Sequence, residues 1–189
     1  MKTSNELSLK NRLLVAMPSL NDPYFKHAVI YIFEHSSEGA MGIVINKPGE
    51  LMLDSIFEHL NIQLDDPDVL KYPVLRGGPI AHEHGFLLHR ESEIGHGMVA
   101  NKKHNIIISA SKEDLITIPQ DHYKDIIVTL GYAGWSSGQL ETELSENAWI
   151  VAPFDEDILF STPYKDRWRA AAKLVGVDFD KLVGEVGHA

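Results

Sequence analysis

Apolar residues fall in short runs separated by turn residues, and the period of each run predicts its element. Residues 12–16 form a short apolar segment stopped by Pro18, and Asn21-Asp22-Pro23 marks a turn. Residues 27–34 carry Val29, Ile30, Tyr31, Ile32 and Phe33, a β-branched and aromatic run. Residues 39–46 carry Ile43, Val44 and Ile45 and stop at Pro48-Gly49. Joined through Ser36-Ser37-Glu38-Gly39, these two runs predict a β-hairpin. Both are apolar on both faces, so the hairpin should be covered on both sides.

Leu53, Ile56, Phe57 and Leu60 recur at helical spacing and predict a helix over 53–60. Asp65-Asp66-Pro67-Asp68 reads as an exposed loop. Val74-Leu75 leads into a sharp Gly77-Gly78-Pro79 turn, and residues 86–89 and 105–109 read as strands. Ser111-Lys112-Glu113-Asp114 resembles a helix start, limited by Pro119. Residues 126–130 give the clearest buried strand, which opens into a glycine-rich loop over 131–138. A helix with Leu140 and Leu144 follows, and residues 149–152 form the last strand. At the C-terminus, Thr162 reads as an N-cap with Pro163 at the first helical position. Trp168, Ala171, Ala172 and Val175 form an apolar stripe, and Gly176 ends the helix. Strands that do not alternate regularly with helices predict an α/β domain of α+β type with a mixed sheet, not a doubly wound one.

The 189 residues suit one domain, with residues 1–11 expected as a flexible N-terminal arm. A chain of this size buries about 70% of the surface that its unfolded form exposes, so it needs no staple. It has no cysteine, which excludes disulfides and cysteine-ligated metal sites and fits a reducing cytoplasm. No apolar run approaches the roughly 20 residues of a membrane span, and no secretory signal is expected at the N-terminus. Seventeen basic against 27 acidic residues leave a formal charge of −10. Such a surface repels phosphate backbones, so direct nucleic-acid binding is disfavoured and a protein partner is expected instead.

Gly134-Trp135-Ser136-Ser137-Gly138 matches the G-x-S-x-G nucleophile elbow between a strand and a helix. In one reading Ser136 is a nucleophile and His188, as the one histidine downstream, its base, with Asp155 or Asp157 completing a triad. In the other, Ser136 and Gln139 form a capping box for the following helix. The second is preferred, because a base one residue from the C-terminus is poorly anchored. The same glycines could also cradle an anion at a helix start, although no Lys or Arg occurs between Lys124 and Lys165. His82, His84, His89 and His96, near Glu83 and Glu91, suggest a metal site. An exposed polar loop explains them better, since no H-E-x-x-H pattern occurs. Lys165, Arg167, Arg169 and Lys173 make a basic patch that reads first as a solvated helix face. No cofactor is expected.

Several blocks together resemble the AlgH/YqgE family. They are 13–18, Asp22-Pro23-Tyr24-Phe25, Glu34-His35, 39–48, Gly77-Gly78-Pro79, Leu88-His89, 130–135, 138–141, Trp149, Trp168 and Gly187-His188-Ala189. The resemblance implies a cytosolic bacterial protein whose strongly bent sheet forms a pseudo-barrel with flanking helices. It implies a regulatory role, as the family's usual label of transcriptional regulator suggests, and brings no catalytic residue with it. The polar and glycine positions at strand ends are the ligand-binding candidates. They are Glu34, His35, Asn46, Lys47, His89, Gly131, Tyr132, Gly134, Trp135, Gly138 and Gln139.

Overall fold

The two apolar runs pair as the pattern predicts. β1 (Arg12–Ala16) lies antiparallel to β2 (Val29–Ser36), which turns into β3 (Gly39–Val44). Val29, Tyr31 and Phe33 enter one core cluster, while Ile30 and Ile32 enter another on the opposite face. Over residues 29–33 and 42–45 neither face of the hairpin meets water, which is why these runs lack polar alternation; only its turn end is exposed. A bulge between Ile32 and Glu34 shifts the register and bends the pair.

The computed structural model describes residues 8–64, 66–90, 97–117 and 125–184. After the hairpin come β4 (Pro48–Met52), α1 (Leu53–Leu60), α2 (Pro67–Leu70), β5 (Pro73–Arg76) and β6 (Ile80–Arg90). Then follow β7 (Met98–Asn101), β8 (Ile106–Ser109), α3 (Lys112–Thr117), β9 (Ile126–Ser136), α4 (Gln139–Ser145) and β10 (Trp149–Pro153). A π-helical turn (Asp157–Ser161), α5 (Arg167–Lys173) and α6 (Phe179–Gly184) complete the domain.

The strands form one strongly curled sheet, a half-barrel, in the order β10-β1-β2-β3-β9-β6-β8-β7. β5 joins β9 in parallel and β4 joins β5, so the sheet is mixed, with every other pairing antiparallel. α1 seals one region with Leu53 and Phe57 against Val74, Leu87 and Ile126. α4 covers a second with Leu140, beside Trp135 and Trp149. α5 covers the third, where Trp168, Ala171 and Ala172 meet Tyr31 and Ile43. Each fully buried Leu, Ile or Phe among these contributes about 1.5–3 kcal/mol.

β9 holds the sheet together. Residues 126–132 pair with β6, Thr129 and Leu130 with β5, and residues 133–136 with β3. Gly131 sits at the changeover with φ +73°, a conformation that side chains resist. Gly78 packs so closely on Tyr132 that a Cβ there would overlap the Tyr132 carbonyl.

The structure departs from the pattern in several places. The stretch from Gly131 is not a loop: its glycine and alanine permit a tight bend, and strand pairing resumes as far as Ser136. β6 begins at Ile80, which places His82 and His84 in a strand. β4 and β7 carry no apolar alternation that would reveal them. Asp66 caps α2 by accepting from the Asp68 and Val69 amides, so this is a helix start where a loop was expected. Asp65 and Pro119 lie outside the described residues.

The C-terminal helix begins at Arg167 with Asp166 as its N-cap, not at Pro163 behind Thr162, because Thr162 instead closes the π-helical turn that ends at Ser161 and residues 164–166 only turn. Val175 is exposed, off the apolar stripe, while Gly176 has the expected left-handed φ of +77°. Of the expected N-terminal arm, residues 8–11 are docked. The Leu9 amide donates to His35 Nδ1 (3.0 Å), Lys10 pairs with Glu34 (2.9 Å), and the Asn11 amide donates to the Ile32 carbonyl (2.8 Å).

Candidate functional site

Ser136 ends β9 with its hydroxyl exposed. Its Oγ lies 3.2 Å from Gln139 Oε1, to which it donates, and its backbone amide donates to the same oxygen at 3.1 Å. This is half of the expected capping box. Gln139 reaches back, but Gly138 with φ +73° is the N-cap and no side chain caps the helix. Gln139 Nε2 donates on to Glu143 Oε1 (3.0 Å). Glu143 Oε2 accepts from the indoles of Trp135 (2.9 Å) and Trp149 (2.8 Å), so both buried rings find an acceptor. Ser137 Oγ donates to the Ser37 carbonyl (2.6 Å). His188 lies outside the described residues.

The Glu34-His35 corner lies at this same end of the sheet. His35 Nδ1 accepts the Leu9 amide, so its proton sits on Nε2, which donates to Glu141 Oε1 at 2.8 Å. The Glu141 carboxyl is held below its ordinary value, first by its own backbone amide and then by His35, against the opposing effect of burial. Both ring nitrogens are therefore engaged in fixing the N-terminal segment and α4 to the hairpin.

Asn46 and Lys47 stand at the other end of the hairpin. Asn46 Oδ1 accepts the Val29 amide (2.8 Å) and its Nδ2 donates to the His27 carbonyl (2.8 Å). His35 is six residues further along β2, about 20 Å in an extended strand. Lys47 Nζ donates to the Lys26 carbonyl (2.5 Å), and the Arg76 amide donates to the Lys47 carbonyl (2.8 Å). Arg167 is buried and donates to the Thr162 carbonyl (2.8 Å) and the Ile45 carbonyl (2.5 Å), with Tyr164 stacked on its guanidinium. Burial pushes Arg167 down to about 10.

Lys26, His27, Lys47, Arg76 and Arg167 thus gather where the hairpin, β5 and α5 meet. Among the described residues none of the five forms an ion pair with a carboxylate. The Lys47 ammonium is held below the usual lysine value, first by burial and then by Arg76 and Lys26. His27 is held below the usual histidine value by burial, then by Lys26, Lys47 and Arg169. Arg169 itself pairs with Asp180 at 2.9 Å.

His89 is buried on β6 opposite Ile126, and its Nδ1 donates to the Arg90 carbonyl (2.6 Å). Nine residues of β9, about 30 Å if extended, separate that point from Trp135. His82 and His84 are exposed, and among the described residues no three His, Asp or Glu side chains gather as a metal would require. An apolar cavity of about 470 Å³ opens beside Phe33, Met41, Phe86 and Met98, with the Ser109 hydroxyl donating to buried Asp114 at its margin.

The structure therefore brings Glu34, His35, Gly134, Trp135, Gly138 and Gln139 to one end, Asn46 and Lys47 to a second, and His89 to a third. It also adds Lys26, Arg76 and Arg167 to Lys47. Lys26 and Arg76 carry no local signal of this, because the cations come from separate segments. Arg167, which reads as part of a solvated basic face, is buried, and its neighbours Trp168 and Ala171 were the available signal.

The AlgH-like family model matches residues 13–180. A UPF0301 protein of Coxiella burnetii is 49% identical over 182 residues, covering 96% of this chain and 97% of its own. The UPF0301 protein YqgE of Escherichia coli is 45% identical over 188 residues, covering 97% and 100%. The solution structure of the AlgH protein from Pseudomonas aeruginosa superposes with a TM-score of 0.72 at 38% identity over the whole of both chains. A Corynebacterium diphtheriae protein shares the fold at 18% identity, with a TM-score of 0.64 over 86% of this chain and 85% of its own.

Proposed function

The chain belongs to the AlgH-like family, and from that premise we propose that it is a cytoplasmic regulatory or interaction protein acting through a protein partner, with no catalysis of its own. One observation carries most of the weight: the groups that looked chemical hold the fold together. A serine nucleophile needs its hydroxyl aimed at a base, and Ser136 Oγ instead donates to Gln139. The imidazole at that end, His35, spends both nitrogens on the Leu9 amide and Glu141.

Hydrolysis, or binding of an anion or small molecule, at residues 131–138 draws less support. The backbone of residues 131–136 runs within β9, whose partners there are β3 and β6. A net charge of −10 favours a protein partner over duplex DNA.

The test begins with capture of the full chain's partners from native cytosol, followed by reconstitution of each complex from pure components. A stoichiometric complex on size-exclusion chromatography is expected. Ser136→Ala should change stability by no more than about 0.5–1 kcal/mol and leave any ester turnover of the preparation at its background. Loss of measurable turnover in that variant, with no complex rebuilt from pure components, would sink the reading.

A further inference from the structure

We propose that the chain binds the phosphate group of a small phosphorylated molecule where Lys26, Lys47 and Arg76 meet. The three cations come from the turn before β2, the β3–β4 connection and β5, and hydrogen bonds to main-chain groups join these three segments. Lys47 donates to the Lys26 carbonyl and accepts from the Arg76 amide, while Val44 donates to the Gly77 carbonyl (2.8 Å). The backbone at all three positions and the Lys47 ammonium are therefore set before a ligand arrives, which lowers the entropy lost on binding, while the exposed Lys26 and Arg76 side chains close on the ligand.

Donor capacity remains after these bonds. An ammonium carries three protons, and the Lys26 carbonyl takes one of those of Lys47. Arg76 is exposed and offers a planar fork that matches two phosphate oxygens. Like charges held together repel, and a dianion placed among them removes that repulsion. Among the described residues no carboxylate does so by ion pairing.

The surroundings select a compact ligand. Beside Arg76 a cavity of about 500 Å³ lies between β4 and β5, lined by Leu51, Val74, Leu75 and Leu130 with Glu50 at its side. That volume suits the organic part of a small phosphate ester. An extended polyanion would leave the three cations and meet the field of a chain carrying 27 acidic residues against 17 basic ones.

The test is a titration of the ¹⁵N-labelled full chain with inorganic phosphate at constant ionic strength, with sodium chloride as control. Saturable shifts centred on the Lys26, Lys47, Arg76 and Gly77 amides are expected. Lys26→Gln and Arg76→Gln keep the backbone groups that make the structural bonds, so both should fold. Each should weaken phosphate binding by about tenfold, the size expected for losing one charge-assisted hydrogen bond. Shifts that grow without saturating, that chloride reproduces, or that Arg76→Gln leaves intact would overturn the site. A sedimentation arm uses vesicles of phosphatidylcholine and phosphatidic acid. Binding to vesicles with no response to soluble phosphate would overturn it in favour of a membrane surface.

Discussion

His27 shows how the basic corner governs a single residue. It adopts a left-handed φ of 57° and sets its ring 4.0 Å from that of Trp168. Burial and the nearby Lys26, Lys47 and Arg169 hold its pKa below the ordinary 6.5. The unfolded chain thus takes up this proton at a higher pH than the folded one. The stability from neutral His27 is fully present above pH 6.5 and is lost as pH falls through the folded-state value. An NMR titration of the His27 ring should give a midpoint below 6.5, and Lys26→Gln should raise it. A midpoint unmoved by that substitution would show that Lys26 does not act on the ring. Arg167 lies under the same corner and is held by two carbonyls and a tyrosine face, so it is a fixture of the interior.

At the scale of elements, α4 is fastened to the sheet by Glu143, which accepts from the indoles of both Trp135 on β9 and Trp149 on β10. Glu143→Ala leaves two buried donors to find new partners and should cost about 2–3 kcal/mol. Denaturant unfolding followed by tryptophan fluorescence checks this; an unchanged midpoint would mean that the bridge carries no stability. Glu143→Gln should lie between, because its amide keeps an acceptor for the indoles but presents a donor to Gln139.

Elements with a strong period were legible in sequence: the β2–β3 hairpin from its β-branched runs, and α1 from Leu53, Ile56, Phe57 and Leu60. β4 was illegible because its residues are mostly exposed. The run through Gly131 reads as a loop because glycine signals one, while in the structure it lets β9 bend between β6 and β3. The site was less legible than the fold. Glu34, His35 and Trp135 do share one end, yet the corner of Lys26, Lys47 and Arg76 depends on pairings between distant segments that local spacing does not encode.

For the whole molecule, the charge and the sheet set the limits. With a formal charge of −10, the purified protein should give no salt-sensitive shift of duplex DNA in a mobility assay at low ionic strength. Tight binding that salt abolishes would overturn action through a protein partner. No helix among the described residues is long and apolar enough to cross a membrane. The position of β9 has a consequence for how the chain is made. It lies in the middle of the sheet but is synthesised after β1 through β8. Until residue 136 has left the ribosome, β3 and β6 have no strand between them and keep open edges that invite other chains. A chain stopped before Ile126 therefore exposes two unpaired strand edges, which the late arrival of β9 covers together before β10 adds to β1.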